Sequence, residues 1–176
     1  AVNDTYLGFA EPVPVELGNG TVRFDMRNEN CALNCCDLSK CQRACHDPSR
    51  TMCVPWVHVR SYALSTDSGG TFGSVLPDRA LPDPATDAGC QASMMRDAGS
   101  LYFTNPRNAS LRVDMTLQVS SDDGGHWAPR ALVPKGRPSG YSCLTTLQNH
   151  SRVGVLWEDC ANCIADGRVV FASVPK

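Results

Sequence analysis

The chain has 176 residues, enough for one domain, and is 42% hydrophobic and 19% charged with a net charge of −2. That is the composition of a globular protein. It holds no basic run that would point to nucleic acid, and no apolar stretch near the roughly 20 residues that cross a bilayer as a helix.

There are 10 cysteines, too many for a reducing compartment unless metal is bound. Asn-X-Ser/Thr sequons begin at Asn3, Asn19, Asn108 and Asn149. Together these predict an oxidising, glycosylating route: secreted, lysosomal or cell-surface. No signal peptide is visible at Ala1, so a targeting segment is expected to be removed or to lie upstream.

In chain order, Val13 to Arg27 gives two short alternating runs around Gly18-Asn19-Gly20. Asn-Gly between such runs is a strong hairpin signal. The second run sends Val22, Phe24 and Met26 one way, and Arg23, Asp25 and Arg27 the other. Residues 28–55 then break the pattern. Cys31, Cys35, Cys36, Cys41, Cys45 and Cys53 crowd a stretch with little apolar material. This reads as a cysteine-rich insertion stapled by disulfides instead of a core. A zinc knuckle using His46 is the competing reading, but the paired Cys-x-x-Cys…His spacing is lacking. Connectivity is left open.

Trp56 to Leu64 resumes a strand, with His58 read as a packed strand residue. Ser65-Thr-Asp67-Ser-Gly69-Gly-Thr-Phe72 follows, and Ser120-Ser-Asp122-Asp-Gly124-Gly-His-Trp127 nearly copies it. Both fit Ser-x-Asp-x-Gly-x-x-aromatic. The physics is a hairpin turn: Asp67 or Asp122 accepts backbone N–H groups, the glycine takes positive φ, and the aromatic packs beneath. The copies lie 55 residues apart, and four short strands repeating at a period of about 40 to 50 residues predict propeller blades.

Between the copies, Gly89 to Arg96 and Ser100 to Thr104 read as two strands around Asp97-Ala-Gly99. Leu111 to Ser120 reads as another, with Arg112, Asp114, Thr116 and Gln118 on its polar side. Thr145-Leu-Gln and Val153 to Trp157 make a hairpin across Asn149-His-Ser-Arg152, and Val169 to Val174 is a closing strand. No amphipathic helix is expected. Cys160-Ala-Asn-Cys163 has the spacing of half a zinc site. A local disulfide, or links to Cys143 or Cys90, are the readings an oxidising setting favours. No metal or other cofactor is expected.

Arg137-Pro-Ser-Gly-Tyr-Ser-Cys-Leu144 places Tyr141 between small neighbours, after a proline that restrains the approach. Taken with the two Asp-boxes, Phe103-Thr-Asn-Pro106, Leu111-Arg-Val-Asp-Met-Thr-Leu117 and Val155-Leu-Trp-Glu158, it resembles the C-terminal half of exo-α-sialidases, the animal lysosomal type above all. The likeness runs from about Glu11 to Glu158. An Asp-box alone is weakly specific; the ordered combination is highly specific.

The resemblance implies an all-β fold of antiparallel four-stranded blades, about three of the six blades of a sialidase propeller, over residues 1–176 with the insertion at 28–55 inside it. It implies that Tyr141 is the nucleophile and Glu11 its acidic neighbour. It gives Arg27 and Arg112 as two arginines of a carboxylate clamp, and Glu158 as the glutamate that orients the remaining one. That first arginine, and the aspartate acting as acid/base, have no match here. In the family both lie in the N-terminal half, which is therefore the expected partner, together with sialylated glycans.

The chemistry suits these residues. Sialic acid carries a carboxylate on its anomeric carbon, so an anionic nucleophile would be repelled, and sialidases use tyrosine instead. A phenol titrating at about 10 needs a neighbouring base at neutral pH. Planar guanidinium forks match a fixed carboxylate. The contrasting reading is a non-catalytic, sialidase-derived module that binds carbohydrate or serves structure.

Overall fold

The computed structural model describes residues 9–28, 59–84, 89–159 and 167–176. The cysteine-rich insertion, apart from Asn28, lies outside them, as do Asn3, Trp56 to His58, Cys160 and Cys163. The described residues form eleven strands and no helix.

Strands β1 (Phe9–Glu16), β2 (Val22–Asn28), β3 (Val59–Ser65) and β4 (Leu76–Pro82) make the first antiparallel sheet, in that order. Strands β5 (Ser93–Asp97), β6 (Ser100–Pro106), β7 (Met115–Ser120) and β8 (Ala128–Ala131) make the second. Strands β9 (Ser142–Leu147), β10 (Arg152–Asp159) and β11 (Arg168–Pro175) make the third, with β10 in the middle. Each four-stranded sheet is a simple up-and-down meander, the form of a propeller blade. The leading strands adjoin: β1 touches β5, and β5 touches β9.

Two apolar layers hold the blades together. Val15, Leu81, Ala92, Met94, Leu101 and Phe103 fill the space between the first and second sheets. Tyr102, Met115, Leu117, Leu144, Val153, Val155 and Trp157 fill that between the second and third. Successive residues of β6 point to opposite faces, so Leu101 and Phe103 serve one layer and Tyr102 the other. Burying each such side chain contributes about 1.5–3 kcal/mol.

The Asp-box turns follow the anticipated physics. Asp67 Oδ1 accepts the Thr71 amide at 2.8 Å, and Asp122 Oδ1 the His126 amide at 2.8 Å. Ser68 and Gly69 both have positive φ, as do Asp123 and Gly124. Phe72 packs on Phe24 at 5.1 Å between centroids, and Trp127 on Phe103 at 5.9 Å.

One expectation needs correction. The strand read from Leu111 begins only at Met115. Asp114 turns the chain at φ 68°, with its carboxylate accepting from Asn108 Nδ2 and the Gly136 amide, so Arg112 sits on a loop. Arg23, Asp25 and Arg27, on the second face of β2, are buried, because packing within and between blades covers both faces. Cys90 and Cys143, the two cysteines among the described residues, are free thiols; Cys160 and Cys163, for which links were entertained above, lie outside the described residues.

Candidate active site

Strands β1, β5 and β9 begin at one rim of the sheets, where β2, β6 and β10 end. The Asp-boxes, each between the third and fourth strand of a blade, lie on the opposite rim. Glu11, Arg27, Arg112, Tyr141 and Glu158 all fall on the first rim.

Glu11 lies in β1 where the pairing register with β2 shifts between Ala10 and Val13. Its φ is +48°, in the left-handed region that a glutamate rarely takes. A bulge re-aims a side chain that regular pleating would send elsewhere. Strain held at such a position is common at functional sites.

Tyr141 immediately precedes β9, and its approach is fixed by backbone bonds. The Gly140 amide donates to Glu158 O at 2.8 Å, and the Glu158 amide to Tyr141 O at 3.0 Å. Glu158 also accepts the Tyr141 amide on its own carboxylate, at 2.9 Å. One residue on, the Ser142 amide donates to Gln91 Oε1 at 2.8 Å. The nucleophile candidate is thus gripped from β10 on one side and from the lead-in to β5 on the other.

The side chains converge. The Tyr141 hydroxyl donates to Glu11 Oε1 at 2.6 Å. Arg27, from the end of β2, donates through Nη1 to Glu11 Oε2 at 2.8 Å and to the Tyr141 hydroxyl at 3.1 Å. The Arg112 guanidinium carbon lies 5.6 Å from the centroid of the Tyr141 ring. Its Nη2 donates to Gly89 O at 3.0 Å, and its own carbonyl accepts the Ser139 amide at 2.9 Å. Glu11, Arg27, Arg112 and Tyr141 therefore share one patch, and Glu158 sits behind it on the backbone of Tyr141.

The phenol is half-buried, and burial raises its pKa above the ordinary tyrosine value. The hydrogen bond to Glu11 pushes the same way, while Arg27 opposes. At neutral pH the hydroxyl holds its proton and points it at a carboxylate. A phenol nucleophile activated by a neighbouring base would need such a geometry.

Beneath the patch lies a layer that the sequence did not announce. Arg60 is fully buried; its Nε donates to Asp25 at 2.8 Å and its Nη1 to Cys90 O at 2.6 Å. Asp25 and Asp78 both accept from buried Arg23. Asp83 accepts two backbone amides, from Asn28 and Cys90, at 2.9 Å each. Buried charges survive only when paired and hydrogen-bonded, as these are. Burial pushes the Cys90 thiol up to about 12, which makes it inert. The one signal in the sequence was Arg23-Phe-Asp25, charges on a run otherwise destined for burial. A hollow of about 770 Å³ opens at the opposite rim beside Leu17, Met94 and Arg96, and none of the candidate residues lines it.

No protein-family model matches the chain. Curated relatives do. A sialidase of Micromonospora viridifaciens is 37% identical over 105 residues, covering 56% of this chain and 16% of that protein. A sialidase of Bacteroides fragilis is 30% identical over 110 residues, covering 56% of this chain and 19% of that protein. Among solved structures, the NanB sialidase of Streptococcus pneumoniae superposes on 94% of this chain and 23% of its own, with a TM-score of 0.69 and 21% identity. The leech intramolecular trans-sialidase superposes on 94% of this chain and 23% of its own, with a TM-score of 0.68 and 15% identity. The chain thus spans less than a quarter of the length of each of these proteins. By sequence over its matched stretch the chain is similar to the first two sialidases, and over nearly its whole length it shares the fold of the solved ones.

Proposed function

We propose that this chain carries the nucleophile side of an exo-α-sialidase site, one that releases terminal sialic acid with retention of configuration. The observation that carries the reading is the closed set of hydrogen bonds among Tyr141, Glu11 and Arg27, at 2.6, 2.8 and 3.1 Å.

The chemistry runs as follows. The Tyr141 oxygen attacks the anomeric carbon as Glu11 takes its proton. The glycosidic bond breaks, and the leaving oxygen is protonated by an acid that these residues do not include. Water then attacks the same carbon, giving up a proton to the conjugate base of that acid. Glu11 returns its proton to the departing phenolate oxygen, and the sugar leaves with its original configuration. A neutral phenol meets the substrate's carboxylate without the repulsion that an aspartate would suffer. Arg27 and Arg112 receive that carboxylate. Arg27 already shares one nitrogen between Glu11 and Tyr141, so substrate, base and nucleophile register on one guanidinium.

A third arginine and the acid/base aspartate would come from an N-terminal half, either of the same polypeptide or as an associated chain. The motifs quoted above also support the animal lysosomal type, although the two relatives named are bacterial. Ten cysteines and the sequons support a secreted, lysosomal or cell-surface glycoprotein. Asn19 and Asn149 are exposed on hairpins at the rim away from the site, where a glycan would leave the substrate path clear.

The test is turnover of a fluorogenic aryl sialoside by the whole protein that contains this chain. Activity that disappears in Tyr141→Phe supports the enzyme. A wild type that binds sialosides without cleaving them would favour a non-catalytic binding module instead.

A further inference from the structure

We propose that Asp83, with Gly89 beside it, is the positioning residue of the arginine pair: it sets the spacing at which Arg27 and Arg112 meet an anionic group. This rests on the carboxylate-gripping role given to those arginines above. Asp83 follows β4 and is 1% exposed. Its Oδ2 accepts the amide of Asn28, the residue after Arg27, and its Oδ1 accepts the amide of Cys90, the residue after Gly89. Gly89 in turn offers its carbonyl to Arg112 Nη2 at 3.0 Å. One carboxylate therefore lies a single residue away from the anchor of each arginine, and it ties the end of β2 to the lead-in of β5.

Gly89 completes the device. Its φ is +80°, and a Cβ there would fall 2.8 Å from Arg27 Cγ, 2.8 Å from Asp83 Oδ2 and 2.9 Å from Asn28 O. The stem of Arg27 lies against a bare backbone whose carbonyl holds the head of Arg112. Arg60 locks the same segment from below, with Nη1 on Cys90 O at 2.6 Å and 3.6 Å from Asp83 Oδ1. Asparagine is no substitute at position 83. A carboxylate accepts on both oxygens, whereas an amide accepts on one and turns an N–H₂ toward the other backbone donor.

The test uses the whole protein with an aryl sialoside and its carboxyl methyl ester. In Asp83→Asn the KM for the acid should rise about tenfold while kcat stays within about threefold, the pattern of lost uniform binding. The ester, which offers no anion, should change little, so the acid-to-ester ratio of kcat/KM falls about tenfold. A purely structural role would lower both substrates alike. An unchanged ratio in folded Asp83→Asn overturns the proposal. Should that variant fail to fold, Gly89→Ala must lower the same ratio, and an unchanged ratio there overturns it equally. Wild-type turnover that is lost in Tyr141→Phe secures the underlying reading separately. If the wild type cleaves neither substrate, that reading falls and takes this one with it.

Discussion

Replacing Glu11 by glutamine tests the centre of the proposed chemistry with the least disturbance. The side chain keeps its size, and the left-handed backbone at φ 48° is no better or worse suited to the new residue. What changes is the acceptor 2.6 Å from the phenol. A positioned base contributes about 10²–10⁴ in rate, so kcat should fall by about that factor, equivalent to about 3–5 kcal/mol of barrier. Stability should move far less. The Glu11 side chain is 30% exposed and its partner Arg27 10%, so solvent screens the pair and about 1 kcal/mol is expected. For a domain of this size that is about 2–4 °C in Tm. An activated aryl sialoside keeps leaving-group protonation out of the comparison, so the loss falls on attack by the phenol. A kcat within about threefold of wild type, with the fold intact by melting, would refute the assignment of Glu11 as base.

Two further outcomes follow from the electrostatics. Burial and Glu11 raise the pKa of Tyr141, so the ultraviolet titration difference between wild type and Tyr141→Phe should show a phenol ionising above the usual value of about 10; a component ionising at or below that value would contradict the geometry. Hydrogen bonds from the Thr71 amide and from the Ser65 and Thr71 hydroxyls hold the Asp67 carboxyl at about 2. A carboxyl depressed in the folded state adds stability above its unfolded pKa of about 4 and loses it as pH falls. Melting temperature should therefore drop between about pH 4 and pH 2, and drop less steeply in Asp67→Asn; identical acid limbs in the two proteins would argue against the turn.

The sequence displayed its turns better than its strand edges. The Asp-boxes carry local chemistry, with Ser, Asp and Gly at fixed offsets, and their geometry follows from that alone. Strand β4, Leu-Pro-Asp-Arg-Ala-Leu-Pro, escaped notice because its prolines argue against a strand. It lies at a sheet edge, where a missing N–H costs little. Strand β8 is four residues long and fully exposed, with a proline and no periodicity to read. Alternation in β2 stopped short in another way. It set Arg23 and Asp25 on the face opposite the apolar residues but did not show that both are buried, because the partners that neutralise them, Arg60 and Asp78, lie 35 and 55 residues away. At the site, Tyr141, Glu11 and the two arginines were reachable through motif resemblance. Asp83, Gly89 and Gln91 were not, because they act through backbone groups that leave no residue pattern.

The site's dependence on blade packing can itself be tested, because its two central residues sit on different sheets. Glu11 belongs to the first sheet, Tyr141 leads into the third, and the second lies between them. The 2.6 Å contact is therefore set by two apolar layers in series. Phe103 is the largest residue of the first layer; it is fully buried, packs on Trp127, and lies 5.6 Å from the Arg60 guanidinium. Phe103→Ala should cost about 3–5 kcal/mol of stability. A cavity confined to the core would reduce activity only through the unfolded fraction. A cavity between the sheet holding the base and the sheet beside the nucleophile should do more: partial collapse shifts Glu11 relative to Tyr141, and a misplacement of about 1 Å can cost about 10²-fold in rate. The measurement is kcat per folded molecule, with the folded fraction taken from a denaturant melt at the assay temperature. Leu117→Ala, in the second layer, should behave alike, since either layer feeds the same distance. Full specific activity per folded molecule in both variants would mean that local bonds to Gly140, Ser142 and Glu158 fix the pair without help from the blades.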